Sequence, residues 1–367
     1  MTTIGNVCAF TNGKAHEQNV VEYGEYIIVN SKFISSDGVV KKYSNKQICP
    51  LFKNDIVMVM SDVPNGKAMS KCFCIDKDNK YTLNQRICAL RTKQIPLYYM
   101  MQINRNDYFM KFDDGVKQTN LRKDDVLACP VYSTTIKEQT KIADFLSLID
   151  QRIEKQRRLV ESLKKYKRGL FLKLYNDSDK SIISFKNIYE MASEGGTPST
   201  SDSENYENGK IPFIKIDDLN QHYLNFAKYF ITEKGLKKSS AWIVPENSII
   251  YSNGATIGAC SINKIPVTTK QGILGIVPKS NFSVEFLYFF FTSSIFKQKI
   301  RAITTKGTMD CAYLKDINGI KISIPDFIAQ QKIAKIMVDF ENLIERTELS
   351  FIYLQNIKKA LLQQMFI

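Results

Sequence analysis

Two histidines, eight cysteines and a scatter of carboxylates are the side chains of this 367-residue chain with the potential for catalysis or metal binding. The cysteines stand at 8, 49, 72, 74, 88, 129, 260 and 311 and form no Cys-x-x-Cys pair. A zinc site needs four clustered ligands or close equivalents, so Cys72 and Cys74, a lone pair on an expected strand, predict no metal site. Unpatterned thiols fit a reducing compartment. His16 in a polar loop and His222 beside Tyr223 offer little acid–base capacity. The chain has no G-x-x-x-x-G-K-[S/T] phosphate loop and no G-x-S-x-G nucleophile elbow. The expectation is a chain without catalytic centre, metal or cofactor. What is abundant is cationic: 51 Lys and Arg against 37 Asp and Glu leave a formal charge of +14. That excess favours contact with a polyanion, either nucleic acid or an anionic membrane surface.

No basic start followed by an apolar run opens the chain. Its most apolar stretch, Phe286-Leu287-Tyr288-Phe289-Phe290-Phe291, is far short of the ~20 residues that span a bilayer. The expected location is the cytoplasm, without a membrane partner.

The elements that would carry the cations form one unit written twice. Residues 139–175 match 330–366 without a gap at a constant offset of 191. Gln139, Lys141-Ile142-Ala143, Ile153-Glu154, Leu163, Lys167 and Leu170 recur as Gln330, Lys332-Ile333-Ala334, Ile344-Glu345, Leu354, Lys358 and Leu361. Apolar residues in both segments step by three, four or seven, the spacing of a heptad seam on a long helix. The expected packing positions are Ile142, Leu146, Ile149, Ile153, Leu163 and Leu170 on the first helix, and Ile333, Met337, Phe340, Ile344, Leu354 and Leu361 on the second. Each seam is interrupted at matching places, by Gln156 and Thr347 and then by Lys167 and Lys358. Polar seam residues fix register and partner at a cost in stability.

Fainter echoes precede each helix, in the same order. Tyr26-Ile27-Ile28-Val29 resembles Pro212-Phe213-Ile214-Lys215-Ile216. Asn54-Asp55-Ile56-Val57 resembles Asn247-Ser248-Ile249-Ile250, and Asn84-Gln85-Arg86-Ile87 resembles Lys270-Gln271-Gly272-Ile273. Short β-branched and aromatic runs split by Gly, Asn, Asp and Pro read as strands and turns. One further helix per unit is expected near 95–111 and 284–302. The fold class is α+β. A first globular domain spans 1–133 and a helix 134–176; after the polar stretch 176–180, a second domain spans 181–325 and a helix 326–367. The most direct arrangement packs the two helices against each other.

This pattern resembles the specificity (S) subunit of type I restriction-modification systems over the whole chain. Gly195-Gly196-Thr197-Pro198-Ser199, followed by residues 211–219, looks like the start of many such recognition domains. Ser252-Asn253-Gly254-Ala255-Thr256-Ile257-Gly258 looks like the family's Gly-containing turn, and Gln330-Gln331-Lys332-Ile333-Ala334 like its entry into the helix. The first unit departs, with Thr11-Asn12-Gly13-Lys14 in place of the Gly-Gly-Thr-Pro loop. The resemblance implies two target-recognition domains on an antiparallel coiled-coil spacer, each reading half of a split, asymmetric DNA target. It implies two docked methyltransferase subunits and restriction motor-nuclease subunits. S-adenosylmethionine, ATP and Mg would then be bound by those partners, and the product would be N6-methyladenine. The Asn/Asp-Pro-Pro-Tyr/Phe motif of the methylating partner is missing here, since no Pro-Pro dipeptide occurs.

A reader of double-stranded DNA needs cations, hydroxyls and backbone N–H groups for phosphates, and Arg, Lys, Asn or Gln for base edges. The loops supply these types. In the first unit the expected contacts are Lys14, Lys32, Asn65, Lys67, Asn84, Gln85 and Lys117. In the second they are Gly195, Gly196, Thr197, Ser199, Thr200, Lys215, Ser252, Asn253, Gly254, Thr256, Lys270, Gln271, Lys306 and Thr308. The basic residues of the first helix, among them Lys164, Lys165, Lys167 and Arg168, form either a solvated face or a track along phosphates. Two other functions fit the same sequence: a separate recognition subunit of another restriction class, and a non-catalytic coiled-coil scaffold that binds protein.

Overall fold

The computed structural model describes residues 1–62, 68–104, 106–113, 118–219, 221–254, 256–305 and 310–366. The chain divides into two compact units: Met1–Arg157 with Ser350–Ile367, and Arg158–Leu349. Both divisions fall inside long helices, Ile136–Asn176 and Phe327–Met365, so each unit contains part of each helix.

In unit 1 the central strand Ile56–Val59 lies antiparallel between Ile87–Arg91 and Cys72–Cys74, with Ala9–Asn12 on the outer side of Ile87–Arg91. Side chains alternate across a strand. Ile56 and Met58 accordingly enter a core with Tyr98, Tyr99, Ile103 and Phe109. Val57 and Val59 enter a second core with Phe33, Ile34, Leu51 and Leu83. Burial on both faces explains why this strand reads as an unbroken apolar run. A second sheet places Tyr26–Val29 parallel to Tyr81–Leu83.

Unit 2 repeats this plan. Its central strand Ile249–Ser252 lies antiparallel between Ile273–Pro278 and Cys260–Asn263, with Tyr189–Glu194 beyond Ile273–Pro278. Ile249 and Tyr251 face an aromatic core containing Phe286, Phe290, Phe291 and Phe296, while Ile250 faces Val244 and Leu224. Ile211–Ile214 runs parallel to Thr268–Thr269, as the corresponding strands of unit 1 do. At Gly275 a Cβ would meet Val244 Cγ2 at 2.4 Å, so only glycine fits that point of the sheet.

The sequence echoes have local causes. Asn54 and Asn247 both sit at positive φ, 71° and 58°, just before the central strands. Arg86 and Gly272 share the same left-handed conformation, at 66° and 86°. Asn and Gly tolerate that region best. The recurring glutamines are buried anchors. Gln139 accepts from Ile95 N and donates to Thr134 O at 2.8 Å; Gln330 accepts from Ser283 N at 3.0 Å and donates to Pro325 O at 2.9 Å. Ile95 and Ser283 are the N-caps of helices Pro96–Ile103 and Val284–Thr292. In both units one amide therefore ties the start of a long helix to the start of the domain helix.

The helices expected near 95–111 and 284–302 are shorter than their apolar pattern suggests. The first ends at Ile103 and is followed by the 3-10 turns Asp107–Phe112. The second is broken at Ser293, whose hydroxyl accepts from Phe296 N and starts a new helix, Ser294–Ile303. The polar stretch 176–180 is mostly a helix cap: Lys180 Nζ donates to the carbonyls of Tyr175 (2.8 Å) and Asn176 (3.2 Å), where the helix end carries negative partial charge.

The long helices run antiparallel. Leu146, Ile333, Met337 and Ile344 are buried, and Ile142, Ile149, Ile153, Leu163, Leu170, Phe340, Leu354 and Leu361 are half-buried. Toward the end of the first helix the deepest contacts shift by one position, to Phe171 and Tyr175. The seam lysines are paired with carboxylates: Lys358 with Asp150 at 2.5 Å in unit 1, Lys167 with Glu341 in unit 2. Residues 150 and 341, like 167 and 358, are 191 apart. The two pairs are thus one contact written twice, as an antiparallel pair of equivalent helices requires.

Candidate nucleic-acid interface

In unit 1, Lys14, Lys32, Asn84 and Gln85 gather where the parallel strands Tyr26–Val29 and Tyr81–Leu83 end. Asn84 N donates to Val29 O at 3.1 Å, and Lys14 N donates to Leu83 O at 3.1 Å. Lys32 lies in the first turn of the short helix Ser31–Ser35, which Asn30 caps through Phe33 N. Lys14, Lys32 and Gln85 are exposed, and Asn84 is half-buried. Gln85 donates to the Glu17 carboxylate. His16 supports this corner from below. It is 1% exposed, with Nδ1 at 2.7 Å from Lys14 O and Nε2 at 2.8 Å from Thr82 Oγ1. The polar sequence around it does not reveal that burial.

Unit 2 builds the same corner with other residues. Lys270 N donates to Ile214 O at 3.0 Å, as Asn84 N does to Val29 O. Gly195 N donates to Ile273 O at 2.9 Å, as Gly13 N does to Ile87 O at 3.0 Å. Gln271 N approaches Thr197 Oγ1 at 3.4 Å. Thr197, Ser199, Thr200, Lys270 and Gln271 are exposed. Lys215 is half-buried and lies 3.4 Å from the Tyr229 ring centroid, while its backbone N–H is held by the Asp218 carboxylate at 2.9 Å. Amides and cations on a short rigid corner match the donor and acceptor pattern of base edges in a major groove.

Five expected contacts take a different role. Gly195 and Gly196 are buried, and a Cβ there would meet Thr269 O at 2.0 Å and Ala241 N at 2.4 Å. Their smallness lets backbones pass closely, as at Gly13, where a Cβ would meet Asn84 O at 1.8 Å. Ser252, Asn253 and Gly254 are also buried. Asn253 Nδ2 donates to Ala312 O at 3.2 Å, and Gly254 N donates to Gly272 O at 3.2 Å. In this conformation the turn closes the domain, and among its described residues Thr256 is the exposed one. Asn65, Lys67, Lys117, Lys306 and Thr308 lie outside the described residues.

The chemistry of the remaining candidates is structural. Burial pushes the Cys72 thiol well up and that of Cys88 up to about 12. His222 is stacked between Tyr223 and Tyr288 at 4.0 and 4.1 Å. Burial, with Lys167 and Lys264 nearby, pushes its pKa down to about 3, so it is neutral. On the first long helix, Lys164 pairs with Glu348 at 2.5 Å and Lys167 with Glu341, which commits part of the basic face to the helix pair.

The family model for the type I restriction modification DNA specificity domain matches residues 1–164 and 178–353. The chain belongs to this family. The type I restriction enzyme MjaIX specificity subunit of Methanocaldococcus jannaschii is 33% identical over 192 residues, 52% of this chain and 44% of that protein. The EcoR124I/EcoR124II specificity subunit of Escherichia coli is 29% identical over 153 residues, 41% of this chain and 38% of that protein. The chain thus spans less than half the length of these two relatives in alignment. The crystal structure of a type I restriction-modification S subunit from M. genitalium matches with a TM-score of 0.58 at 19% identity, covering 100% of this chain and 95% of that one. A chain from a structure on assembly and conformational transition of the type I system matches with a TM-score of 0.63 at 14% identity, covering 99% and 96%. These likenesses bear out the α+β fold with its recognition domains and antiparallel spacer helices.

The sequence reading missed Tyr229 under Lys215, and also Lys297 and Arg301 beside Tyr251. The latter two stand four residues apart on one helix, a spacing that puts them on one face.

Proposed function

We propose that this chain is the DNA-reading subunit of a type I restriction-modification complex and has no catalytic role of its own. Each unit reads one half of a split target, and the halves differ because the two corners carry different side chains. The observation that carries this reading is the repeated corner. Lys14, Lys32, Asn84 and Gln85 in one unit, and Thr197, Lys215, Lys270 and Gln271 in the other, stand at equivalent ends of equivalent parallel strands. Two methyltransferase subunits dock on the chain, and motor-nuclease subunits join them. S-adenosylmethionine, ATP and Mg belong to those partners, and the product is N6-methyladenine in both half-sites.

Linking two weak readers raises affinity without new contacts. A linked pair of readers of this kind expects a target whose two half-sites are separated by a fixed gap. The test is binding of the full chain with its methylation partner to a labelled duplex across a salt series. A DNA reader loses affinity steeply, with a logarithmic slope set by the number of phosphates neutralised. A protein-binding scaffold shows weak association that salt does not change, and that result overturns the proposal.

A further inference from the structure

Beside the turn that follows the central strand of unit 2 lies a cavity of about 390 Å³. Its polar lining is Tyr251, Lys297, Arg301, Thr304 and Asp310, with Ile257, Gly258 and Ile300 completing the wall. Lys297 and Arg301 are one turn apart on helix Ser294–Ile303 and turn the same face to it. Among the described residues neither makes an ion pair, and Asp310 is the one carboxylate of the lining. Tyr251 is 2% exposed, and its hydroxyl has no hydrogen-bond partner. Burying a hydroxyl unpaired costs stability, which a ligand accepting from it would recover. Gly258 borders the space at φ 95°, a conformation that L side chains rarely adopt; a Cβ there would stand in ordinary contact with Tyr251 Oη at 3.8 Å and Lys297 Cε at 3.7 Å.

A buried O–H donor and two flexible cations suit a compact anion with several acceptor oxygens better than they suit a base or an apolar side chain. We propose that this pocket takes one backbone phosphate of the duplex next to the half-site read by unit 2. The assignment rests on the DNA-reading function proposed above, and it is specific to unit 2. In unit 1 the position equivalent to Tyr251 is Met58, which ends in a thioether with no proton to donate.

The probes are a labelled duplex carrying the target and inorganic phosphate. The protein is the full chain with its methylation partner, as wild type, Tyr251→Phe, and Lys297→Gln/Arg301→Gln. Phosphate contacts carry no sequence information. The double variant is therefore expected to bind the duplex about tenfold more weakly, with a salt slope lower by about 1 to 2 and unchanged base preference. Tyr251→Phe is expected to weaken binding a few-fold while melting at or above the wild-type temperature, since it leaves no unpaired hydroxyl. Unchanged affinity and slope in both variants overturn the proposal. A thermal shift by inorganic phosphate that the double variant loses, with duplex binding unaltered, also overturns it, because the pocket then serves free phosphate. If the wild type fails to bind duplex at all, the DNA-reading function falls with it. Phosphate-induced stabilisation then still reports on the pocket.

Discussion

Units 1 and 2 share a frame and differ in what fills it. Both set a central strand between two antiparallel neighbours, add a parallel pair beside it, and anchor a long helix through one buried glutamine. Unit 1 fixes the entry to its central strand with charge: the buried Asp55 carboxylate takes Arg91 Nε and Nη2 at 2.7 and 2.8 Å. Unit 2 has Ser248 there and uses an amide instead, with Asn263 accepting from Ser248 N at 2.9 Å and donating to Pro245 O at 2.7 Å. The frame is therefore set by backbone geometry at a few residues, and the side chains around it are free to diverge. That freedom is what the proposed reading of two different half-sites requires.

The sharpest break in the shared frame comes from its glycines. Gly13→Ala and Gly195→Ala each push a Cβ against a carbonyl oxygen. Each is expected to cost about 2–4 kcal/mol in urea unfolding of the full chain. A change below 0.5 kcal/mol, the usual size for a surface site, would show that the corner relaxes freely. The glutamine anchors come next. Gln139→Leu and Gln330→Leu leave a backbone N–H and a carbonyl unpaired and should each cost about 1–3 kcal/mol, with equal effects if the anchors are equivalent.

Smaller effects probe the helix pair. Lys167→Glu opposes Glu341 and should lower stability by about 1 kcal/mol, and adding Glu341→Lys should restore it. The same exchange at Lys358 and Asp150 should give the same coupling. His222 distinguishes unit 2 by pH. Its folded pKa is depressed to about 3, whereas the unfolded ring takes a proton near pH 6.5. Protons then favour the unfolded state. Stability from this group is full above about pH 6.5 and falls toward pH 3, by at most about 1.4 kcal/mol per pH unit. His222→Phe should flatten that part of the stability–pH curve, and an unchanged slope would locate the acid sensitivity elsewhere.

Much of this was legible in the sequence because particular backbones demand particular residues. Asn54 and Asn247 echo because both are left-handed, and Gln139 and Gln330 because both close the same pair of orphan groups. The paired seam lysines were visible as interruptions, but their carboxylate partners were not, since period alone gives no helix direction. The burial of Ser252 to Gly254 was hidden. A polar, glycine-containing turn reads as exposed, and the backbone that meets it comes from Gly272 and Ala312, far along the chain. Ser293 splits a segment read as one helix, because its hydroxyl caps a new helix from within.

The central claim is that each unit reads its own half of the target. The direct measurement is the methylated sequence produced by the full complex carrying Gln271→Ala, compared with Gln85→Ala. Each variant is predicted to relax base preference in one half-site only, a different half for each, with the gap between halves constant. Relaxation of both halves by either variant, or of neither half by both, would contradict the account.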